Sequence, residues 1–170
     1  MAGIGGYGDE YAKALLDGNP AENVHIAGLV DIHPEASPQY GRIQERGIPV
    51  FSSLEEFYRE GAADLAVLST PIHLHCRQAC LALAHGSSVL CEKPLCAATK
   101  EVSRLREASV EAGRFVAVGF QMAFSDAVRD LKRDILGGVF GRPRRLKTIV
   151  SSPRRESYYR RNRWAGRIRD

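Results

Sequence analysis

The sequence predicts an α/β fold: a doubly wound parallel sheet covered by helices on both faces, with the start of a second α/β domain behind it. Three observations predict this. Short stretches that are apolar throughout alternate with amphipathic stretches of helical period, the pattern of parallel strands and their crossover helices. Glycines Gly3, Gly5 and Gly8, with Gly6 among them, stand at the G-x-G-x-x-G spacing that joins a strand to a helix. An acid, Asp31, closes the next apolar stretch.

The elements follow in order. After the glycine turn, "YGDEYAKALLDG" reads as a helix with Tyr11, Ala14 and Leu15 on one face and Gly18 as its stop. "NVHIAGLVDIH" is a short apolar strand ending at Asp31, "PEASPQYGRIQERG" a helix, "IPVF" a strand, and "SSLEEFYREG" a helix capped by Ser52 or Ser53. "DLAVLST" is a continuous apolar strand, "IHLHCRQACLALAHG" a helix ended by Gly86, and "SSVLCEKP" the next strand. "TKEVSRLREASVEAGR" has helical period with Thr99 as cap, "FVAVGF" is a strand, and "SDAVRDLKRDILGG" a further helix. Residues 1–141 form the first domain on this reading and 142–170 the beginning of the second. In such a sheet the strand before the glycine turn is central and has about five residues. Only Met1 and Ala2 precede Gly3, so the expectation is a truncated first strand, from a missing N-terminus or an internal start.

Composition fits that outline. The chain has 170 residues, 44% of them hydrophobic, enough for one domain with a sizeable core. No stretch approaches the roughly 18 apolar residues of a membrane span, and no secretory leader opens the chain, which predicts a cytoplasmic protein. Cys76, Cys80, Cys91 and Cys96 lack framework spacing and read as reduced, buried small hydrophobes. The net charge of +4 is unevenly spread: residues 1–141 carry 13 Lys plus Arg against 18 Asp plus Glu, and residues 142–170 carry 11 against 2.

In a strand-turn-helix unit the first glycine permits the sharp turn, the second lets a pyrophosphate approach the backbone, and the third allows close packing of helix on strand. The helix that follows points its free N–H groups and dipole at the phosphates. An acid about twenty residues on accepts hydrogen bonds from the ribose hydroxyls of an adenosine, and Asp31 stands there. A 2'-phosphate would be repelled at that place, so the pattern favours NAD over NADP. A second group, Glu92, Lys93 and Pro94, lies at the carboxyl end of "SSVLCEKP", the edge where open parallel sheets bind ligands. A lysine there suits a hydrogen-bond donor or base acting on a substrate hydroxyl; a surface lysine before a turn proline is the plainer alternative.

The segments "GIGGYG", "LVDIHP", "LSTPIHLH", "CEKPL" and "VGFQMAFSDAVRDLKRDILGGVFGRPRRLK" occur in the order seen in the Gfo/Idh/MocA oxidoreductases, which the chain resembles over nearly its whole length. The resemblance implies a Rossmann domain in which Gly3, Gly5, Gly6 and Gly8 form the pyrophosphate loop and Asp31 binds the ribose. It implies that Ser69, Thr70 and Pro71, with His75, line the ribose and nicotinamide side, that Glu92 contacts the nicotinamide ribose, and that Lys93 is the catalytic lysine. Gln121, and Trp164 in "YYRRNRWAG", then approach the substrate. The implied activity is NAD-dependent hydride transfer to or from a secondary alcohol of a sugar or cyclitol. The family's second domain supplies an Asp and a His on one helix and usually the oligomer interface. "RLKTIVSS" would be the first strand of that domain, and the chain stops at "RWAGRIRD", where the rest would follow.

Other classes weigh less. His73, His75 and Cys76 carry metal-ligand chemistry, but neighbours one and two apart on a helix do not share a face, so no metal is expected. The basic tail interleaves arginines with Tyr158, Tyr159 and Trp164, a composition that also serves nucleic-acid contact; charge runs are more often solvated tails. An NAD-binding sensor or scaffold without catalysis stays open as the alternative to an enzyme.

Overall fold

The computed structural model describes residues 1–18 and 24–160. Contacts divide the chain into two compact units, Met1–Gly119 and Phe120–Asp170. In the first, the predicted alternation is present as α1 (Gly8–Leu16), β1 (Leu29–Val30), α2 (Tyr40–Glu45), β2 (Val50–Phe51), α3 (Leu54–Glu60), β3 (Leu65–Leu68), α4 (Ile72–Ala84), β4 (Ser88–Cys91), α5 (Thr99–Ala112) and β5 (Val116–Val118).

All strand pairs are parallel. β1 pairs with β2, and β4 lies between β3 and β5. Ala2 joins these two groups, bridging Val30 on one side and Leu68 on the other. Its amide donates to the Val67 carbonyl and its carbonyl accepts from the Ser69 amide, each at 2.8 Å, while Met1 and Gly3 bond to Val30. The expected central strand is thus reduced to one bridging residue, and the order across the sheet is β2, β1, Ala2, β3, β4, β5.

The two faces are visible in how neighbours along a strand part company, since successive side chains point to opposite sides. Leu29 packs with Ile4, Leu16 and Ile43, from the glycine turn, α1 and α2. Val30, its neighbour, packs in the larger cluster with Leu68, Val89, Phe57, Ala79, Leu83 and Leu105, the last four from α3, α4 and α5. Both faces are covered, so the sheet is doubly wound. Cys76 and Cys91 are buried, Cys80 and Cys96 partly so, and all four thiols are free. Burial pushes the Cys91 thiol up to about 12.

Four local expectations are corrected. The segment "PEASPQYGRIQERG" forms a 3-10 turn at Pro34–Ala36 and then α2, because Ser37 before Pro38 takes extended backbone with ψ 132°; a residue preceding proline is driven out of the helical region. The cap of α5 is Ala98, not Thr99, and Glu101 reaches back to the Ala97 and Ala98 amides. On α1 the buried residues are Gly8, Ala12 and Leu16, while Ala14 is exposed and Tyr11 and Leu15 flank the stripe. Finally, "RLKTIVSS" forms no strand, and Leu146, Ile149 and Val150 are 84%, 96% and 82% exposed.

The second unit contains a 3-10 turn, Gln121–Phe124, and helices α6 (Asp126–Leu136) and α7 (Glu156–Arg160), with no buried residue on any of them. Among the described residues no helix is long and apolar enough to cross a membrane.

Candidate functional site

The glycine turn begins where Ala2 leaves the sheet. Gly3 has φ +79°, a value side-chain-bearing residues avoid, and a Cβ on it would stand 2.8 Å from the Ser69 carbonyl group. A Cβ on Gly8 would collide with the Gly3 carbonyl oxygen, so α1 starts hard against the turn. Gly5 and Gly6, by contrast, are exposed, and nothing lies within 4 Å of where their side chains would begin. The turn is closed toward the protein and open toward solvent.

Asp31 directly follows β1 and buttresses this turn. Its Oδ2 accepts from the Ile4 amide and its Oδ1 from the His33 amide, both at 2.9 Å. Each carboxylate oxygen keeps a further acceptor site. Across the turn, Ser69, Thr70 and Pro71 link β3 to α4. The Ser69 hydroxyl oxygen is buried without a partner, as is Asp9 Oδ1 in the first turn of α1. Thr70 donates its hydroxyl to Gln78 on α4.

At the end of β4, Glu92 is only 7% exposed while the next residue, Lys93, is exposed. The Glu92 carboxylate accepts from the Tyr11 hydroxyl at 2.7 Å and from the Lys93 amide at 3.2 Å. The Lys93–Pro94 peptide is cis. His75 is turned inward, 1% exposed, with Nε2 at 2.8 Å from the Thr70 carbonyl oxygen and Nδ1 at 3.0 Å from that of Pro94. A carbonyl only accepts, so the ring donates to whichever of the two faces its protonated nitrogen. His75 ties the Ser69–Pro71 loop to the Lys93–Pro94 turn and offers neither nitrogen to solvent.

The carboxyl ends of β1, β3 and β4 therefore bring together Gly3, Gly5, Gly6, Gly8, Asp31, Ser69, Thr70, Pro71, Glu92 and Lys93, all in the first unit. Gln121 opens the 3-10 turn of the second unit and is exposed. Trp164 lies outside the described residues. Tyr11 escaped the sequence reading as a site residue, although its place three residues after Gly8 turns it toward the same edge. His73 is exposed, and among the described residues no three His, Cys, Asp or Glu side chains are grouped to hold a metal.

These residues fit a dinucleotide. An exposed pair of glycines offers close backbone approach, the N-terminus of α1 offers N–H groups to an anion, and a buried hydroxyl without a partner borders the same turn.

The model of an oxidoreductase family with an NAD-binding Rossmann fold, Gfo/Idh/MocA, matches residues 1–120. An inositol 2-dehydrogenase from Burkholderia cenocepacia is 44% identical over 155 residues, covering 84% of this chain and 42% of its own length. Inositol 2-dehydrogenase 4 of Saccharopolyspora erythraea is 43% identical over 81 residues, which are 47% of this chain and 24% of that protein. The chain thus spans less than half the length of these relatives. Among solved structures, the WlbA dehydrogenase of Chromobacterium violaceum, crystallised with NADH and UDP-GlcNAcA, superposes with a TM-score of 0.81 at 23% identity, over 98% of this chain and 47% of that one. That likeness shows the fold.

Proposed function

Because the chain belongs to the Gfo/Idh/MocA oxidoreductases through their NAD-binding Rossmann domain, we propose that it serves NAD-dependent hydride transfer between a secondary alcohol of a sugar or cyclitol and the cofactor, in the cytoplasm. The single observation that carries this is the meeting, at one sheet edge, of an open glycine turn with the Glu92–Lys93 turn. The names of the inositol 2-dehydrogenases among its relatives favour a cyclitol.

In this reading Gly5 and Gly6 let the pyrophosphate lie on the backbone, Gly3 and Gly8 keep the turn tight, and Asp31 takes the adenosine ribose and disfavours a 2'-phosphate. Ser69, Thr70, Pro71 and Glu92 border the nicotinamide side. NAD, when bound, supplies the hydride acceptor at its nicotinamide ring. Lys93 Nζ is hydrogen-bonded to the reacting substrate oxygen, accepting from its hydroxyl, and helps remove that proton as the alcohol becomes a carbonyl. His75 acts behind Thr70 and Pro94 rather than on a ligand, while Gln121 and Trp164 belong to the substrate side. A homo-oligomer belongs to the same proposal for the longer proteins of the family.

Titration with NADH, followed by nicotinamide fluorescence and run beside NADPH, tests the cofactor assignment. Saturable binding that prefers NADH and weakens in Gly5→Val and Asp31→Ala is expected; a chain that circular dichroism shows folded and that binds neither nucleotide removes the assignment. Lys93→Ala should spare NADH binding and lower inositol oxidation by roughly a hundredfold or more in the protein that carries the whole substrate site. Unaltered turnover would take Lys93 out of the mechanism.

A further inference from the structure

Glu92 is a nearly buried carboxylate, and three elements converge on it. Tyr11, from the first turns of α1, donates its hydroxyl to Oε1 at 2.7 Å. The Lys93 amide donates to Oε2. Gly119, one residue beyond β5, leaves the space, since a Cβ there would stand 2.5 Å from Oε1 and 3.4 Å from the Tyr11 hydroxyl. The Tyr11 ring is itself held edge-on by Tyr7, with centroids 5.8 Å apart.

Chemistry fixes the direction of this contact. Burial first, then the hydrogen bond and charge of Glu92, push the Tyr11 hydroxyl well above its ordinary range, so it keeps its proton and can only serve Glu92 as donor. A carboxylate with one oxygen on Tyr11 and the other on the Lys93 amide cannot rotate without breaking both bonds. The helix that receives the pyrophosphate is in this way tied, through one carboxylate, to the main chain of the lysine.

We infer that Tyr11 is a positioning residue for the Glu92–Lys93 turn, fixing the Glu92 carboxylate and through it the backbone from which Lys93 reaches the substrate. The inference rests on the NAD-dependent reading above. Tyr11 touches neither cofactor nor substrate in this role, and acts through Glu92.

The test uses the chain as encoded, with Tyr11→Phe, Glu92→Gln and the double variant, each confirmed folded by circular dichroism. NADH affinity is read by nicotinamide fluorescence, and the Lys93 amide by hydrogen exchange in NMR spectra. Tyr11→Phe should weaken NADH binding by roughly tenfold, the worth of one hydrogen bond to a carboxylate, and should speed exchange at Lys93. The double variant should lose no more than the larger single loss, because both changes cut the same link. A folded Tyr11→Phe that binds NADH like the parent and keeps Lys93 protected overturns the inference and leaves the cofactor assignment standing; additive losses overturn it as well. A folded parent that does not bind NADH overturns the cofactor assignment, and exchange at Lys93 still decides whether Tyr11 holds the turn. Should Tyr11→Phe fail to fold, alkaline absorbance titration of Glu92→Gln decides. One late-ionising tyrosine shifting to lower pH supports the link, and an unchanged titration overturns it.

Discussion

His75 holds two loops with one ring. Its nitrogens face the Thr70 and Pro94 carbonyls, and the ring itself is 1% exposed. His75→Leu keeps much of the volume and removes both contacts, so it should cost about 1 kcal/mol of stability, the net worth of one hydrogen bond; urea denaturation measures it, and a loss below a few tenths would remove the clamp. The histidine's presence on α4 was legible in the sequence, and the family resemblance lined it along the cofactor. Its partners were not legible, because both are main-chain carbonyls, five and nineteen positions away, and no side-chain pattern records them. The same holds for Tyr11, whose partner lies eighty-one positions away. Gly3, Gly8 and Asp31 were legible for the opposite reason: each is demanded by local geometry that only its residue type satisfies.

Helix α3 shows what an element needs at its start. Ser53 accepts from the Glu56 amide, and Glu56 returns its carboxylate to the Ser52 amide and hydroxyl. Ser53→Ala should cost about 1 kcal/mol, measurable by thermal unfolding of the folded chain. The Ser52 hydroxyl, then its amide, hold the Glu56 carboxyl below its ordinary range. A carboxyl lowered on folding stabilises above its unfolded pKa, and that contribution is lost as pH falls through the lowered folded value. In Glu56→Gln the acid limb of the stability curve should be correspondingly shallower. Sequence found this helix to within its cap, since Ser-x-x-Glu ahead of apolar residues is a local signal. It missed the break before α2, where the helical pattern of "PEASPQYGRIQERG" was read through Pro38, and it missed the Ala98 cap, where no side chain announces the role. Tertiary pairing decided "RLKTIVSS": β-branched and apolar residues predict a strand, yet a strand exists only where another edge receives it.

The chain as a whole divides its order unevenly. Met1–Gly119 carries both core clusters, whereas the segment 142–155 has no helix or strand and is exposed throughout. Arg142, Arg144, Arg145, Lys147, Arg154 and Arg155 fall in that segment. Limited trypsin treatment should therefore cut there first and leave a resistant fragment containing Met1–Gly119, as mass spectrometry of the products would show. Early cleavage within α4 or α5 instead would contradict this order of stability.

The seat of Ala2 between β1 and β3 also sets a timetable for biosynthesis. Met1–Gly3 occupy the middle of the sheet but are translated ahead of every strand they join, so their bonds to Val30, Val67 and Ser69 wait until all three partners have been made. Until then β1 has one side without a neighbour, and the segment Met1–Gly3 is held in reserve rather than folded in its turn. The last of these partners, Ser69, is also the residue whose carbonyl group packs against Gly3. The loop before α4 and the centre of the sheet are therefore completed in one late event, and a ribosome-bound chain that has not reached Ser69 lacks the protein side of the glycine turn.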